Sequence, residues 1–168
     1  MRYCIQPATS ADVAFLATAI DPDTSDWGKG GGRERANGLL LTCAASTQVW
    51  TVRDGNGVPH ALWGVSPNDE DDDVGCIWLL ACEQLEGTPD DFRALTSMVL
   101  GEMFSQFSRL ENFVDVRKDR ALELLRFVGF HVEPATTPFG SETACHRVWM
   151  DADENGSALR MERPLYLN

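Results

Sequence analysis

Few side chains in this sequence are suited to exchanging a proton near neutral pH. Of its three histidines, His131 and His146 lie in strand-like segments. The charge of an imidazole changes near neutrality, so either group could serve as a general acid or base. Lone histidines in strands are more commonly hydrogen-bonded structural residues. We therefore take His131 and His146 as candidate catalytic residues, with a structural role as the alternative for each.

The cysteines do not form a recognisable metal or redox motif. No two of them make a CxxC pair, and their spacing relative to the histidines is not that of a zinc site. An odd number of scattered cysteines is typical of free thiols in a reducing compartment. We interpret all five as small, buried structural side chains: Cys4, Cys43, Cys76, Cys82 and Cys145.

Two segments have the composition of ion-binding loops but lack the required order. The run Gly28–Gly32 contains a lysine among glycines, yet it lacks the G-x-x-x-x-G-K-[ST] order and follows no predicted strand. The acidic run Asn68–Asp73 lacks the spacing, the glycine and the distal glutamate of an EF-hand. A flexible loop and a solvated acidic loop are the better interpretations, and no metal site is predicted.

The composition bounds the class of protein and its partners. The chain has 168 residues and carries 26 acidic against 14 basic side chains, a formal net charge of −12. This charge opposes binding to nucleic-acid phosphates and to anionic membranes. No apolar run has membrane-spanning length, and the first apolar stretch does not resemble a signal peptide. We expect a single-domain cytoplasmic protein with no nucleic-acid or membrane partner.

Local patterns predict the elements that must position any site. Alternating residues on both sides of Asp54–Gly57 predict a β-hairpin. Thr88 and Pro89 are suited to begin a long helix, because threonine caps a helix and proline fits its first position. A second helix begins at Asp119 and ends at Gly129, where glycine is favoured.

The predicted order of elements is β-α-α-β-β-β-α-β-α-β-β. Hairpins combined with crossover connections predict an α/β (α+β) fold, a mixed central sheet of six or seven strands flanked by about four helices. We expect the single domain to span residues 1–150 and a polar tail to span residues 151–168.

The motifs in this order resemble those of the GCN5-related N-acetyltransferase (GNAT) superfamily. The resemblance is carried by the opening strand and by a strand and helix ending in Gly-Phe, at Ile5–Thr9, Val114–Val116 and Arg120–Phe130. A narrower resemblance is to GNAT-like proteins of short-tailed phages, the internal virion protein A family. It is carried by Ala61–Val65, Trp78–Leu80, Leu110–Asp115 and Pro138–Gly140, followed by His146, Arg147 and Met150.

The GNAT resemblance implies an acetyl-CoA site between the strands Val74–Ala81 and Asn112–Val116. In that interpretation the enzyme transfers an acyl group to an amine, and Glu83 is the best-placed general base beside the family's cleft. The cofactor-binding residues that the resemblance implies are Leu80, Ala81, Cys82, Gly87, Asn112 and Lys118.

Several residues depart from the GNAT pattern. The turn that would receive the pyrophosphate has one glycine, no basic residue before Arg93, and four carboxylates, those of Glu83, Glu86, Asp90 and Asp91. Carboxylates repel an anionic ligand. In addition, Lys118 replaces a common asparagine, and Leu125 replaces a tyrosine that could donate a proton.

These departures favour a phage-type protein that is non-catalytic, binds no cofactor, and acts through protein contacts in virion assembly or the internal core. It would be found in the host cytoplasm or the virion. The alternative is an acetyl-CoA-dependent N-acetyltransferase. The sequence does not distinguish oligomeric states.

Overall fold

The computed structural model describes residues 3–19, 32–81, 89–138, 140 and 142–153. Within them the predicted order of elements is confirmed. The elements are β1 (Tyr3–Pro7), α1 (Ser10–Ala19), α2 (Gly32–Ala45), β2 (Gln48–Asp54), β3 (Pro59–Pro67), β4 (Val74–Ala81), α3 (Pro89–Phe104), β5 (Arg109–Asp115), α4 (Asp119–Val128), β6 (His131–Val132) and β7 (Cys145–Asp151).

The seven strands form one mixed sheet in the order β1-β2-β3-β4-β5-β7-β6. Strands β4 and β5 are parallel, and their ladder joins Val74–Cys76 to Arg109–Glu111. The pairs β1–β2, β2–β3, β5–β7 and β6–β7 are antiparallel. The last strand of the chain, β7, lies between β5 and β6. The predicted fold class is confirmed.

The chain divides into two compact units. The first comprises residues 1–67 and 77–99, and the second comprises residues 68–76 and 100–168. The division therefore passes through β4 and α3, each of which contributes residues to both units. The prediction of a domain at residues 1–150 followed by a tail remains a prediction, since residues 154–168 lie outside the described part of the chain.

The core of the first unit is an apolar cluster of residues from helices α1 and α2 and strands β3 and β4. Its buried members are Val13, Leu16, Ala17, Leu39, Leu62 and Leu80. Helix α1 begins with a reciprocal capping box, in which the Thr9 amide donates to Asp12 Oδ2 (2.9 Å) and the Asp12 amide donates to Thr9 Oγ1 (3.3 Å). Two of the four amides that lack a partner at the start of a helix are thereby satisfied.

Asp12 also forms a partly buried ion pair with Arg53 of strand β2. Its Oδ1 lies 2.7 Å from Arg53 Nη2, and the side chains of Asp12 and Arg53 are only 3% and 24% exposed. The carboxylate thus accepts hydrogen bonds from the start of α1 and from β2 at once. This pair holds the first turn of α1 against the hairpin of β2 and β3.

An indole ring lies directly on the backbone of β3. A Cβ atom built on Gly64 would be only 2.1 Å from Trp78 Cε2. The indole is held there by a hydrogen bond from Trp78 Nε1 to Ser46 Oγ (2.9 Å). Only glycine leaves room for this ring, so the close approach determines the residue type at position 64.

Four tryptophans lie on strands of the sheet and are at least half-buried. Trp50 and Trp63 are buried, and Trp78 and Trp149 are half-buried. The fifth tryptophan, Trp27, lies outside the described residues.

The predicted end of α4 is also confirmed. Gly129 adopts a left-handed conformation with φ of 106°. Its amide donates to the Arg126 carbonyl (3.0 Å), and the Phe130 amide donates to the Leu125 carbonyl (2.9 Å). These bonds satisfy the last carbonyls of the helix and turn the chain into β6. They place Phe130 in the core of the second unit, where it is buried.

Candidate functional site

The cofactor-binding residues predicted in the first unit are only partly described. The Leu80 side chain is buried in the apolar core of that unit, which leaves its backbone as the part able to meet a ligand. Ala81 is the last residue of β4. Cys82, Gly87 and the candidate base Glu83 lie outside the described residues.

The cofactor-binding residues predicted in the second unit make local contacts. Asn112 Oδ1 accepts a hydrogen bond from the Phe113 amide (2.7 Å). Lys118 precedes the first turn of α4, and its carbonyl accepts from the Leu122 amide (3.0 Å). On the same helix, Leu125 is half-buried. Its hydrocarbon side chain offers no proton at the position where the GNAT resemblance suggests a tyrosine.

The two candidate catalytic histidines are not brought together. His131 pairs with Trp149 across β6 and β7, and its ring stacks on that indole at 4.3 Å between centroids. His146 is three residues from Trp149 on β7, so the alternation of side chains places the two histidines on opposite faces of the sheet. His146 Nδ1 lies 2.7 Å from the Glu133 carbonyl oxygen, a structural hydrogen bond.

A cleft of about 560 Å³ lies within the second unit. We call it the β5–β7 cleft, because the start of β5, the end of β7 and the loop before β4 form it. Its lining residues are Asn68, Glu70, Asp71, Val74, Ser108, Arg109, Glu111, Arg147, Asp151, Ala152 and Asp153. The sequence pointed to the acidic loop alone, and nothing local indicated that this loop would meet the end of β7.

The acidic loop is fixed to the rest of the second unit by hydrogen bonds. The amide of the Asn68 side chain donates to Glu111 Oε1 (2.9 Å), and Ser108 Oγ donates to Asp73 Oδ2 (2.5 Å). Residues 69–73 are exposed, which confirms the predicted solvated loop. In the part of the chain that the structure describes, no group of His, Cys, Asp and Glu side chains is arranged to hold a metal ion.

Both arginines of the cleft are engaged by carboxylates. Arg109 Nε and Nη2 donate to the two carboxylate oxygens of Asp151 (2.6 and 3.0 Å), and its guanidinium lies 4.4 Å from the centroid of the Trp149 ring. The hydrogen bond from Arg109 lowers the pKa of Asp151. Arg147 Nη2 donates to Glu111 Oε2 (2.6 Å). The cleft is therefore charged and preorganised, an arrangement suited to binding polar ligands.

Cys76 lies on β4 opposite Glu111, and the pKa of its thiol depends on burial and on this neighbour. Burial raises the pKa of its thiol, and the carboxylate of Glu111 adds to this effect. A raised pKa keeps the thiol protonated and poorly nucleophilic. The four described cysteines, Cys4, Cys43, Cys76 and Cys145, are free thiols. Cys4 is exposed and the other three are only half-buried, so the prediction that they are buried is wrong for these four.

Asp115 ends the strand that carries the GNAT-like motif, and its pKa depends on Arg117. Hydrogen bonds from the Arg117 side chain and amide lower the pKa of Asp115 from 3.8 to about 2. A lowered pKa contributes stability that is present above pH 3.8 and is lost as the pH falls through about 2. Arg117→Ala is expected to raise the pKa of Asp115 toward 3.8, measured by NMR titration of the carboxyl carbon.

The matched control is Arg117→Lys, which keeps the positive charge but not the bidentate hydrogen bonds. We expect it to raise the pKa of Asp115 less than Arg117→Ala does. A pKa that remains near 2 in both variants would contradict the assignment to Arg117.

Comparison with known proteins identifies the fold. No protein-family model and no curated protein matches this sequence. Solved structures do match, and the three described below share only 14% identity with it. Among the described residues, no helix is long and apolar enough to cross a membrane.

Three of these structures carry acetyltransferase names, and one of the three holds acetyl-CoA. A chimera of the spermidine N-acetyltransferase SpeG from Vibrio cholerae and hSSAT has 14% identity, a TM-score of 0.69, and covers 95% of this chain and 99% of its own. The ribosomal-protein-S5-alanine acetyltransferase from Vibrio fischeri has 14% identity and a TM-score of 0.68, and it covers 92% of this chain and 95% of its own. The yncA protein from Salmonella typhimurium was solved with its cofactor acetyl-CoA. It has 14% identity and a TM-score of 0.68, and it covers 90% of this chain and 94% of its own. This chain therefore has the fold of the GCN5-related N-acetyltransferases.

Proposed function

We propose that this chain is an N-acyltransferase that takes an acyl group from acetyl-CoA and passes it to an amine. The observation that carries the proposal is the extent of the likeness to acetyltransferases, which reaches 95% of the chain for the first structure above. The yncA structure, which holds acetyl-CoA, matches over 90% of the chain. The carboxylates of residues 83–91 alone favoured a protein that binds no cofactor. The likeness to acetyltransferases supports the alternative, a protein that uses acetyl-CoA.

The proposal assigns binding and proton transfer to particular residues. Acetyl-CoA supplies an acyl group activated as a thioester. Leu80 and Ala81 would contribute backbone groups, since the Leu80 side chain is buried and each peptide offers a donor and an acceptor. Cys82, Gly87, Asn112 and Lys118 complete the proposed set. Glu83 is the proposed base that removes the proton from the amine, with His131 and His146 as the alternatives.

The carboxylates at residues 83–91 lower the affinity for acetyl-CoA in this proposal, because they repel its phosphates. Each like-charged pair at short range costs about 1 kcal/mol in water and more where solvent is excluded. The proposal therefore includes a modest affinity for acetyl-CoA. It also predicts that removing these charges strengthens binding.

Calorimetric titration of the full chain with acetyl-CoA tests the proposal. We expect a Kd tighter than about 100 μM, which corresponds to about 5.5 kcal/mol. The double variant Glu86→Lys/Asp90→Lys is expected to bind more tightly than the native chain. The control Asp69→Lys/Asp72→Lys makes the same change in net charge on the acidic loop and is expected to leave the Kd within about twofold of the native value. No heat of binding and no shift in Tm with acetyl-CoA would refute the proposal.

A second candidate function is a non-catalytic protein that acts through protein contacts in a phage virion. It is favoured by the half-buried Leu125 in place of a proton donor and by the resemblance to phage internal virion proteins. The same titration separates the two candidates, because the non-catalytic protein is expected not to bind acetyl-CoA. Release of free thiol from acetyl-CoA in the presence of primary amines would exclude this second candidate.

A further inference from the structure

One ring nitrogen of His146 is fixed by the backbone, and this bond determines where the ring carries its proton. Nδ1 lies 2.7 Å from the main-chain carbonyl oxygen of Glu133. A carbonyl oxygen has no hydrogen to donate, so Nδ1 must carry the proton of the neutral ring. The lone pair of the neutral ring therefore stands on Nε2, which is the nitrogen able to accept a proton.

The other ring nitrogen of His146, Nε2, is not used in the fold. Among the described residues no group forms a hydrogen bond with it, and the ring is only half-buried. The Glu133 carboxylate is engaged on the opposite face of the sheet, where its Oε1 accepts from Arg147 (3.2 Å) and Trp149 (3.1 Å). The ring is thus oriented through Nδ1, and Nε2 is left open to a reacting group.

The position of His146 in the sheet brings it beside the carboxyl end of β5. It is directly opposite Val114 in the antiparallel ladder, so the two side chains lie on one face. Two pairs away on the same face, Leu110 and Met150 are buried in the core, whereas Val114 and His146 are half-buried. This face therefore emerges from the core at the carboxyl end of a parallel strand, which is where such sheets bind ligands.

His131, the other described candidate base, is placed differently. Its ring stacks on Trp149, on the face of the sheet opposite to His146. Its strand, β6, is separated from β5 by β7, whereas the strand of His146 pairs with β5 directly. His146, and not His131, therefore adjoins the part of β5 that the proposed function assigns to acetyl-CoA.

We infer that His146 is the base of the acyl transfer and that the Glu133 carbonyl is the group that positions it. The inference rests on the proposed function, because it selects one of the three bases named there. His146 takes up the amine proton at Nε2 as the nitrogen bonds to the acyl carbon. It returns this proton to the sulfur as the carbon–sulfur bond breaks, so the ring ends neutral and the products are an amide and a thiol. Nδ1 keeps its own proton throughout.

The position of the ring proton is tested without any substrate, by NMR of the ¹⁵N-labelled full chain. The sequence has three histidines, so a long-range proton–nitrogen spectrum contains three imidazole patterns, and the one lost in His146→Asn belongs to His146. At about pH 8.5, above the range in which imidazoles are charged, we expect this ring to carry its proton on Nδ1. A proton on Nε2 would overturn the inference, whether or not the chain transfers acyl groups.

The catalytic role is tested by thiol release from acetyl-CoA with a panel of primary amines, n-butylamine among them. His146→Asn keeps an amide that can donate to the Glu133 carbonyl but has no base at the position of Nε2. We expect kcat to fall about 100-fold and the acidic limb of the pH–rate profile to disappear, while the Kd for acetyl-CoA stays within about twofold. His146→Gln is a second variant with the same expected loss, in case the asparagine variant does not fold.

The matched control is His60→Gln, which removes an imidazole that is hydrogen-bonded to Asp54 (2.9 Å) in the hairpin. It is expected to leave kcat within about twofold of the native value, and equal losses in the two histidine variants would overturn the inference. Full activity of His146→Asn would do the same, because it would leave His146 only its hydrogen bond to Glu133. Failure of the proposed function is distinguishable, since the native chain would then neither bind acetyl-CoA nor release thiol. Turnover that persists without His146 would refute this inference alone.

Discussion

Gly64→Ala is expected to lower the free energy of unfolding by about 3 kcal/mol, the upper end of what overpacking a core usually costs. The added Cβ would lie 2.1 Å from a ring carbon of Trp78, well inside van der Waals contact. The indole cannot swing aside freely, because its Nε1 donates to Ser46 Oγ at 2.9 Å. The measurement is urea denaturation followed by tryptophan fluorescence and circular dichroism.

Gly101→Ala provides the matched control for this change. Nothing lies within 4 Å of a Cβ built on Gly101, which is an exposed residue of α3. Alanine favours a helix over glycine by about 1 kcal/mol, so this variant is expected to be more stable than the native chain. Opposite signs for the two substitutions would support the close approach of Trp78 to β3. Equal stability of the two variants would contradict it.

Asp12→Ala is expected to have an effect of comparable size for a different reason. We expect a loss of about 3 kcal/mol, the lower end of the range for breaking a buried ion pair, because the Arg53 side chain that loses its partner is 24% exposed and partly solvated. The Asp12 side chain is 3% exposed, and its carboxylate serves both Arg53 and the Thr9 amide. The free energy of unfolding is again measured by urea denaturation.

Two further variants separate the charge of Asp12 from its capping role. Asp12→Asn keeps an oxygen that can accept from the Thr9 amide but loses the negative charge beside Arg53. It is expected to be destabilised less than Asp12→Ala. In the double variant Asp12→Ala/Arg53→Met no unpaired charge remains, so its loss of stability should be smaller than the sum of the two single losses. Strict additivity would show that the ion pair contributes nothing of its own.

The role of an acidic residue in this chain depends on the segment in which it lies. On the loop at residues 69–73 they are exposed, and two of them, Glu70 and Asp71, line the β5–β7 cleft. At residues 83–91 they belong to the segment that would meet the phosphates of acetyl-CoA under the proposed function. Net charge alone could not distinguish these roles, because it records neither position nor partner.

Much of the local structure could be predicted because its causes are local. The capping box joins Thr9 to Asp12, three residues away, and Gly129 ends α4 through bonds to the preceding turn. The hairpin around residues 54–57 follows from alternation and turn residues. Each of these signals arises from contacts within a few positions of the chain, so the residues that cause the structure stand together in the sequence.

Contacts between distant segments were decided only by the tertiary structure. Strand β7 lies between β5 and β6, and this places Asp151 beside Arg109 and Arg147 beside Glu111. Asp12 pairs with Arg53, which is 41 positions away in the sequence. Trp78 packs on Gly64, where the absence of a side chain leaves room for its ring. Residue type and spacing indicated that these groups were charged, aromatic or small. Their partners depend on the pairing of strands far apart in the chain, and this pairing is set by burial of the whole sheet.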